Sequence, residues 1–159
     1  KAWGVRTDLK RRAFADPLHA MPPIFTPLIR RARQLLPDHL KGAFFPNEAN
    51  ALDYRKAEGH ALLPHCDDRQ LSGPVLLTVC LAGAATMTYV ADKQRRGAAG
   101  GRGEERDTHR VRLPRRALQV QSGSVRFDYQ HAIQNADFHD DRRVSITFRM
   151  NKREDHRVY

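Results

Sequence analysis

The sequence predicts a mainly β fold of the α+β class, a sandwich or jelly roll with one supporting helix near the N-terminus. Three observations lead to it. The 159 residues fit one domain over 1–159 that can bury a core. One amphipathic helix pattern comes early, and short strand patterns then follow at close spacing. The segments predicted as strands are 51–54, 74–83, 86–90, 110–113, 117–121, 125–129 and 143–150.

The helix pattern begins where Thr26 can cap it and Pro27 suits the first helical position. Apolar residues recur at helical spacing on a face that would contact a core, at Phe25, Leu28, Ile29, Ala32 and Leu36. The opposite side carries Arg30, Arg31 and Arg33. The helix should end before Pro37, which cannot continue it. Residues 1–14 are basic and have no clean period, so we expect an extended arm or an edge strand there.

Charge is the strongest compositional signal. The chain has 28 Lys and Arg against 18 Asp and Glu, a formal net charge of +10. A domain this basic attracts polyanions, and nucleic acid is the usual one. An acidic protein partner or a merely basic surface fits the same charge. Residues 93–107 combine Gly and Ala with charged residues and are predicted to form a flexible loop.

Composition also excludes several classes of protein. No apolar run approaches the roughly 20 residues that a membrane span needs, so we expect no membrane partner. The 2 Cys do not form a disulfide framework. A reducing compartment is therefore expected, the nucleus or the cytoplasm. Because the chain starts at Lys1 rather than Met, we also expect it to be truncated at the N-terminus. The oligomeric state is left open.

The triplet His65-Cys66-Asp67 is the first candidate for chemistry. On an extended segment, residues i and i+2 point the same way, so His65 and Asp67 can reach one metal ion. A distant histidine would complete a 2-His-1-carboxylate set, which leaves three positions open on a six-coordinate Fe(II). Chance alone yields roughly 0.65 H-x-D triplets in such a chain, and His139-Asp140-Asp141 is a second one.

The downstream sequence separates the two triplets. His131 lies at the end of a strand-like segment and can supply the second imidazole. The strand after it places Arg143, Ser145, Thr147 and Arg149 on one face. Two arginines on a face that looks buried are costly unless they pair with anions. A dicarboxylate such as 2-oxoglutarate has two carboxylates to pair. His139 has no comparable sequel, so we interpret 139–141 as a polar loop.

These motifs together resemble the AlkB family of Fe(II)/2-oxoglutarate dioxygenases, and within it the AlkB homologue four subfamily of eukaryotes. The similarity runs over most of the chain. The stretches that carry it are W-G-V-R-T-D-L-K-R-R-A-F at 3–14, L-D-Y at 52–54, P-H-C-D-D at 64–68, L-P-R-R-A-L at 113–118, S-G at 122–123, Q-H-A-I at 130–133 and R-R-V-S-I-T-F-R at 142–149.

The resemblance implies a double-stranded β-helix, the jelly roll, and a role for each matching residue. The residues that would hold the catalytic iron are His65, Asp67 and His131. Arg143, helped by Tyr54, would pair with the distal carboxylate of 2-oxoglutarate. Arg149 would sit near the carboxylate that chelates the metal, and Ser145 would line that pocket.

The implied reaction is oxidative N-demethylation. It uses Fe(II), 2-oxoglutarate and O2 and releases formaldehyde. Charge favours nucleic acid carrying N6-methyladenine as the substrate. The alternatives are methyl-lysine on a protein such as actin and a non-catalytic basic jelly roll that binds nucleic acid. On the substrate side, Asp68 would hydrogen-bond a metal ligand or line the entrance, unless it is simply a solvated loop acid. The residues that would contact a polyanion are Lys10, Arg11 and Arg12.

Overall fold

A computed structural model of the chain describes residues 1–8, 10–17, 19–92 and 107–152. The predicted flexible loop at 93–107 lies outside these residues except for Asp107. The strands are β1 (Ala2–Gly4), β2 (Arg6–Asp8), β3 (Ala13–Ala15), β4 (Glu48–Arg55), β5 (Leu62–His65), β6 (Ser72–Ala82), β7 (Ala85–Ala91), β8 (Thr108–Leu113), β9 (Leu118–Gln121), β10 (Tyr129–Ile133) and β11 (Arg142–Asn151). The helices are α1 (Phe25–Leu35), α2 (Asp38–Lys41) and α3 (Gly123–Asp128).

Two antiparallel sheets form the body of the molecule. The large sheet has the order β1-β4-β11-β6-β9, and the small sheet has the order β5-β10-β7-β8. From β4 onward the chain moves back and forth between the sheets, so that β11 lies between β4 and β6 while β10 lies between β5 and β7. This is the jelly roll that the sequence predicts. A short hairpin of β2 and β3 stands apart from both sheets.

Each face of the large sheet has its own apolar cluster. On the outer face, α1 packs against β11, where Phe25 meets Phe148 edge to face with ring centroids 5.4 Å apart. On the inner face, Tyr54 and Cys80 meet Met87 of the small sheet. The helix therefore supports the large sheet from its outer face, while the space between the sheets holds the second apolar cluster and the polar side chains described below.

The start of α1 differs from the prediction. The helix begins at Phe25, and Thr26 makes no capping hydrogen bond. Instead the backbone N–H of Phe25 donates to the Pro22 carbonyl at 2.9 Å, and that of Thr26 to the Pro23 carbonyl at 3.0 Å. Backbone carbonyls thus satisfy the first helical N–H groups. Pro27 is the third helical residue, still within the first turn, where its missing N–H costs nothing. The helix ends before Pro37, as predicted.

One predicted strand is wrong. Residues 125–128 belong to α3 rather than to a strand, and β10 begins only at Tyr129. His131 therefore lies in the middle of β10 and not at the end of a longer strand. The alternation of apolar and polar residues over five positions also fits a single turn of helix, so the period alone cannot decide.

Several other elements match or extend the predictions. The remaining predicted strands agree with observed ones to within a residue or two of one end, or lie inside them. Strand β5, which contains Pro64, was not predicted. The basic segment at 1–14 supplies both an edge strand, β1, and the β2–β3 hairpin. None of the helices in the described ranges has the length and apolar character needed to cross a membrane.

Candidate metal centre

Two neighbouring strands of the small sheet bring His65, Asp67 and His131 together. His65 ends β5 and is the register partner of His131 in β10. Their ring centroids lie 4.4 Å apart. The Asp67 carboxylate comes two residues later, with Oδ2 at 3.8 Å from Nε2 of His131. One ligand atom from each residue lies within 4.8 Å of the others. The geometry thus unites the three residues that the sequence proposes as ligands.

The protonation of this cluster suits a cation. Nδ1 of His65 lies 2.8 Å from the Leu63 carbonyl, which can only accept, so Nδ1 donates this hydrogen bond and Nε2 is the ring nitrogen that can serve a metal. Burial lowers the pKa of His131 to about 4, which leaves its imidazole neutral at neutral pH. Burial alone would raise the pKa of Asp67, but Arg149 and the two histidines hold it below its usual value. The cluster therefore combines a neutral His131 imidazole and an ionised Asp67 carboxylate with the His65 ring.

This donor set fits Fe(II). Two imidazole nitrogens and one carboxylate oxygen are the protein ligands of non-haem iron oxygenases, in which the remaining coordination positions stay open. The proton on Nδ1 of His65 and its carbonyl acceptor are what a ligating histidine ordinarily shows. The residues present therefore fit the metal that the sequence implies.

The inner face of β11 shares a cavity with the cluster. The cavity has a volume of about 50 Å³. Its lining from β11 consists of Arg143, Ser145, Thr147 and Arg149. The intervening side chains Ile146 and Phe148 belong to the outer apolar cluster under α1. The predicted division of this strand into two faces is confirmed, and its polar face lines the same cavity as the three candidate ligands.

Arg143 is a buried cation with few partners. Its residue is 3% exposed. Nη1 donates to Oγ of Ser145 at 3.0 Å, and Nη2 lies 3.6 Å from Sγ of Cys80. Within the described ranges Nε has no hydrogen-bond partner and no carboxylate forms an ion pair with the guanidinium. The Tyr54 ring lies 5.9 Å away. A buried, incompletely satisfied guanidinium favours a bound anion such as a carboxylate.

Arg149 has a different environment at the other end of the same face. Nη1 contacts Oε1 of Glu48 at 3.1 Å, and Nη2 contacts Oδ1 of Asp67 at 2.8 Å. Burial would lower the pKa of Arg149, but these two carboxylates raise it above its usual value. The side chain therefore holds Asp67 through Oδ1, while Oδ2 is the carboxylate oxygen near His131. The family resemblance implies a place for Arg149 near the 2-oxoglutarate carboxylate that chelates the metal, and in the structure its guanidinium contacts the carboxylates of Glu48 and Asp67.

The candidate substrate-side residues lie next to the cluster but do not touch it. Asp68 is not a solvated loop acid and does not hydrogen-bond a candidate ligand side chain. Its Oδ1 accepts the backbone N–H groups of Gln70 and Leu71, and its Oδ2 lies 3.3 Å from Nη1 of Arg12. Arg12 thereby joins the tip of the β2–β3 hairpin to the metal loop, which we define as residues 66–71. Lys10, Arg11 and Arg12 at that tip are all exposed, and of these Arg12 makes the contact with Asp68.

Arg126 is the contributor that sequence reasoning missed. It is 2% exposed on α3, and its two terminal nitrogens donate to the backbone carbonyls of Asp67, at 3.0 Å, and of Asp68. The error over 125–129 hid it, because a residue assigned to a strand has no reason to face the metal loop. The Ser122-Gly123 pair, with φ of 57° at Gly123, is the local signal that the chain turns here.

Comparison with solved structures supports this architecture. A solved structure of rice AlkB homologue 1 superposes with a TM-score of 0.62 at 15% sequence identity and covers 94% of this chain and 76% of that one. The fold is AlkB-like. No protein-family model and no curated protein matches the sequence. The shared feature is therefore the AlkB-like jelly roll itself, and the chemistry must be argued from the side chains described above.

Proposed function

We propose that this chain is an Fe(II)/2-oxoglutarate-dependent dioxygenase that removes N-methyl groups as formaldehyde. One observation carries the proposal. The His65, Asp67 and His131 cluster shares a cavity with Arg143, a buried guanidinium that lacks a carboxylate partner in the described ranges. A set of metal ligands and an anion-binding group in the lining of one cavity are what a chelating dicarboxylate co-substrate requires. The AlkB-like fold supports the same conclusion.

The roles of the side chains follow from their positions. His65, Asp67 and His131 would hold the iron, while Arg149 orients the Asp67 carboxylate. Ser145 accepts a hydrogen bond from Arg143 and so directs that guanidinium at the distal carboxylate of 2-oxoglutarate. Tyr54, whose pKa is raised by burial, remains a neutral wall beside it. When bound, iron, 2-oxoglutarate and O2 supply the oxidant that hydroxylates the methyl group, and succinate, CO2 and formaldehyde are released.

For the substrate we propose nucleic acid carrying N6-methyladenine. The net charge of +10 supports a polyanionic partner. The exposed basic tip of the β2–β3 hairpin lies beside the metal loop through the contact of Arg12 with Asp68, at 3.3 Å. Phosphates bound at this tip would bring a nucleotide close to the cluster. The base would have to be single-stranded or flipped out of a stack to reach it.

Two alternatives remain outcomes of the test. An acidic protein carrying methyl-lysine, such as actin, would be attracted by the same basic surface, and the resemblance to the AlkB homologue four subfamily points in that direction. A non-catalytic jelly roll would bind nucleic acid through the same surface without iron. The buried position of Arg143 beside the cluster weighs against a purely binding role, because a binding module has no use for an interior anion site.

The metal site is tested by anaerobic titration with Fe(II) followed by 2-oxoglutarate. Asp67→Ala should abolish iron binding, since it removes the only carboxylate of the donor set in the described ranges. Asp141→Ala is a matched control, because it alters the other H-x-D triplet, on an exposed loop. Unchanged iron binding by the Asp67→Ala variant would overturn the proposal.

The substrate is tested by formaldehyde release. We expect the wild-type chain to turn over a single-stranded oligonucleotide containing N6-methyladenine and to leave a methyl-lysine peptide unchanged. Turnover of the peptide alone would support the dioxygenase activity but show that methyl-lysine, and not N6-methyladenine, is the substrate. A chain that binds the oligonucleotide but produces no succinate under any condition would be a binding module.

A further inference from the structure

Arg126 is buried, which is unusual for an arginine unless its charge is paired. It is 2% exposed, and within the described ranges it forms no ion pair with a carboxylate. Its Nη1 donates to the Asp67 carbonyl at 3.0 Å and its Nη2 to the Asp68 carbonyl, while Nε has no partner. Burying a guanidinium costs free energy that two carbonyl hydrogen bonds only partly offset. Both bonds made by its terminal nitrogens go to the two residues that come after Cys66 in the metal loop.

The two hydrogen bonds from Arg126 to the backbone, which we call the clamp, add to other contacts that hold the metal loop. Its outer part is held by other contacts. Arg69 contacts Asp92 at 2.7 Å, Sγ of Cys66 lies 3.2 Å from the Tyr129 carbonyl, and the Asp68 carboxylate caps the turn. Between these points the backbone of residues 67 and 68 needs its own anchor. In the described part of the chain, Arg126 supplies the side-chain hydrogen bonds to those two carbonyls.

The position of α3 in the chain links the clamp to His131, the candidate ligand on the neighbouring strand. Arg126 precedes β10, which carries His131, by only a few residues. The guanidinium thus ties the backbone that carries Asp67 to the segment that leads into the strand of the distant histidine. Arg149 fixes the carboxylate end of Asp67 at 2.8 Å, and Arg126 fixes its backbone end. Together they define where the carboxylate oxygen sits relative to the imidazoles.

We propose that Arg126 is a positioning residue that holds the metal loop through the carbonyls of Asp67 and Asp68 and so sets the geometry of the metal ligands. This inference rests on the proposed function, because it takes the ordered loop to serve the binding of a metal ion. It does not place Arg126 in contact with metal or substrate. Its consequence is that a residue on a short helix, outside the H-x-D motif, controls the affinity for iron.

The experiment compares Arg126→Met, which keeps the bulk of the side chain and removes all donors, with Arg126→Lys, which keeps the charge and can still donate. Arg112→Met, at an exposed position of β8, is the matched control. Hydrogen exchange of amides 66–71 in the metal-free protein reports the order of the loop. Anaerobic titration with Fe(II) alone reports the metal affinity, and circular dichroism checks that each variant is folded.

We expect Arg126→Met to raise amide exchange in the loop roughly tenfold while the sheets keep their protection. Iron affinity should fall roughly 10–100-fold, the usual effect of losing a group that orients a ligand. Arg126→Lys should recover part of both, and Arg112→Met should match the wild type. If the Met variant does not fold, the same two measurements on Arg126→Lys decide.

Unchanged loop exchange in a folded variant would overturn the inference. So would a more mobile loop with wild-type iron affinity, because the clamp would then have no bearing on the ligands. Failure of the proposed function looks different. In that case the wild-type chain binds no iron, while the exchange measurement still decides whether Arg126 orders the loop.

Discussion

Arg143 and Arg149 differ in how the charge of each guanidinium is balanced. Its guanidinium is buried and has no carboxylate partner in the described ranges, although Arg149 on the same strand face has two. The two arginines on one face of this strand therefore differ: Arg149 is neutralised by Glu48 and Asp67, whereas Arg143 is the residue proposed to bind the co-substrate. This difference cannot be seen in the alternation of the strand, since both positions look alike in the sequence.

Removing that cation should weaken the co-substrate selectively. We expect Arg143→Ala to raise the Kd of 2-oxoglutarate, measured anaerobically with Fe(II) present, by roughly 30-fold or more, because a buried charge pair loses about 2–5 kcal/mol when one partner is removed. Arg116→Ala, at an exposed turn, should leave the Kd unchanged. A wild-type Kd for the Arg143→Ala variant would contradict the assignment.

His131 makes a prediction about pH. Its pKa falls from 6.5 to about 4 on burial, so between these values the unfolded chain binds more protons than the folded chain. The free energy of unfolding of the metal-free protein should therefore fall as pH drops from 6.5 towards 4, by on the order of 3 kcal/mol. The lowered pKa of Asp67 acts in the same direction at more acidic pH.

Denaturant unfolding in the presence of a chelator, at several pH values across that window, measures this loss. His131→Gln should flatten the pH dependence, and His139→Gln, which changes an exposed loop histidine, should preserve it. An equally steep dependence in His131→Gln would place the titrating group elsewhere.

Among the elements, β11 determines most of the architecture. It lies between β4 and β6, presents Arg143 and Arg149 to the cavity and its apolar residues to α1. Because side chains alternate along a strand, one segment can build both the core and the site. Mutations on its two faces should consequently have separable effects, one on stability and the other on binding.

Phe148 tests the apolar face. It is fully buried and meets the Phe25 ring at 5.4 Å. We expect Phe148→Ala to lower the free energy of unfolding by about 3–5 kcal/mol, because it leaves a cavity between α1 and the large sheet. Ile24→Ala, at a side chain that is 76% exposed, should change it by less than about 0.5 kcal/mol. Urea unfolding measures both, and similar values would contradict the packing.

The β2–β3 hairpin tests the substrate class at the level of an element. If Lys10 and Arg11 contact phosphates, removing both should reduce the slope of log K against log salt for a single-stranded oligonucleotide by about 1.4, since each contact contributes about 0.7. Arg142→Ala serves as the control, because two hydrogen bonds of 2.9 Å to Asp53 already match its charge. An unchanged slope in the double variant would move the nucleic-acid contact to another surface.

In the whole molecule, the jelly roll explains why distant residues meet. From β4 onward the chain passes repeatedly between the two sheets, so β5 and β10, far apart in the chain, become neighbours and place His131 in register with His65. The other H-x-D triplet, at 139–141, lies on an exposed loop, where His139 contacts Thr86 and Asp140 accepts the Ala84 N–H. Topology thus separates two triplets that look equivalent locally.

The amino-acid sequence by itself determined the fold class, the two faces of β11, the helix under the large sheet and the basic charge of the surface. These depend on local periodicity and composition, which the chain carries without reference to its partners. The proposed ligands were also predicted, because residue type and order along the chain restrict metal chemistry. The role of each as a ligand stays a prediction for the titrations above.

Only the tertiary structure decided which polar side chains have hydrogen-bond or ion-pair partners and which residues those partners are. It paired Arg149 with Asp67, left Arg143 facing the cavity, made 125–128 part of a helix and brought Arg126 onto the metal loop. Such outcomes depend on sheet order and register, which join residues far apart in the chain. A short segment that fits strand and helix equally well takes whichever form lets its neighbours bury and hydrogen-bond best.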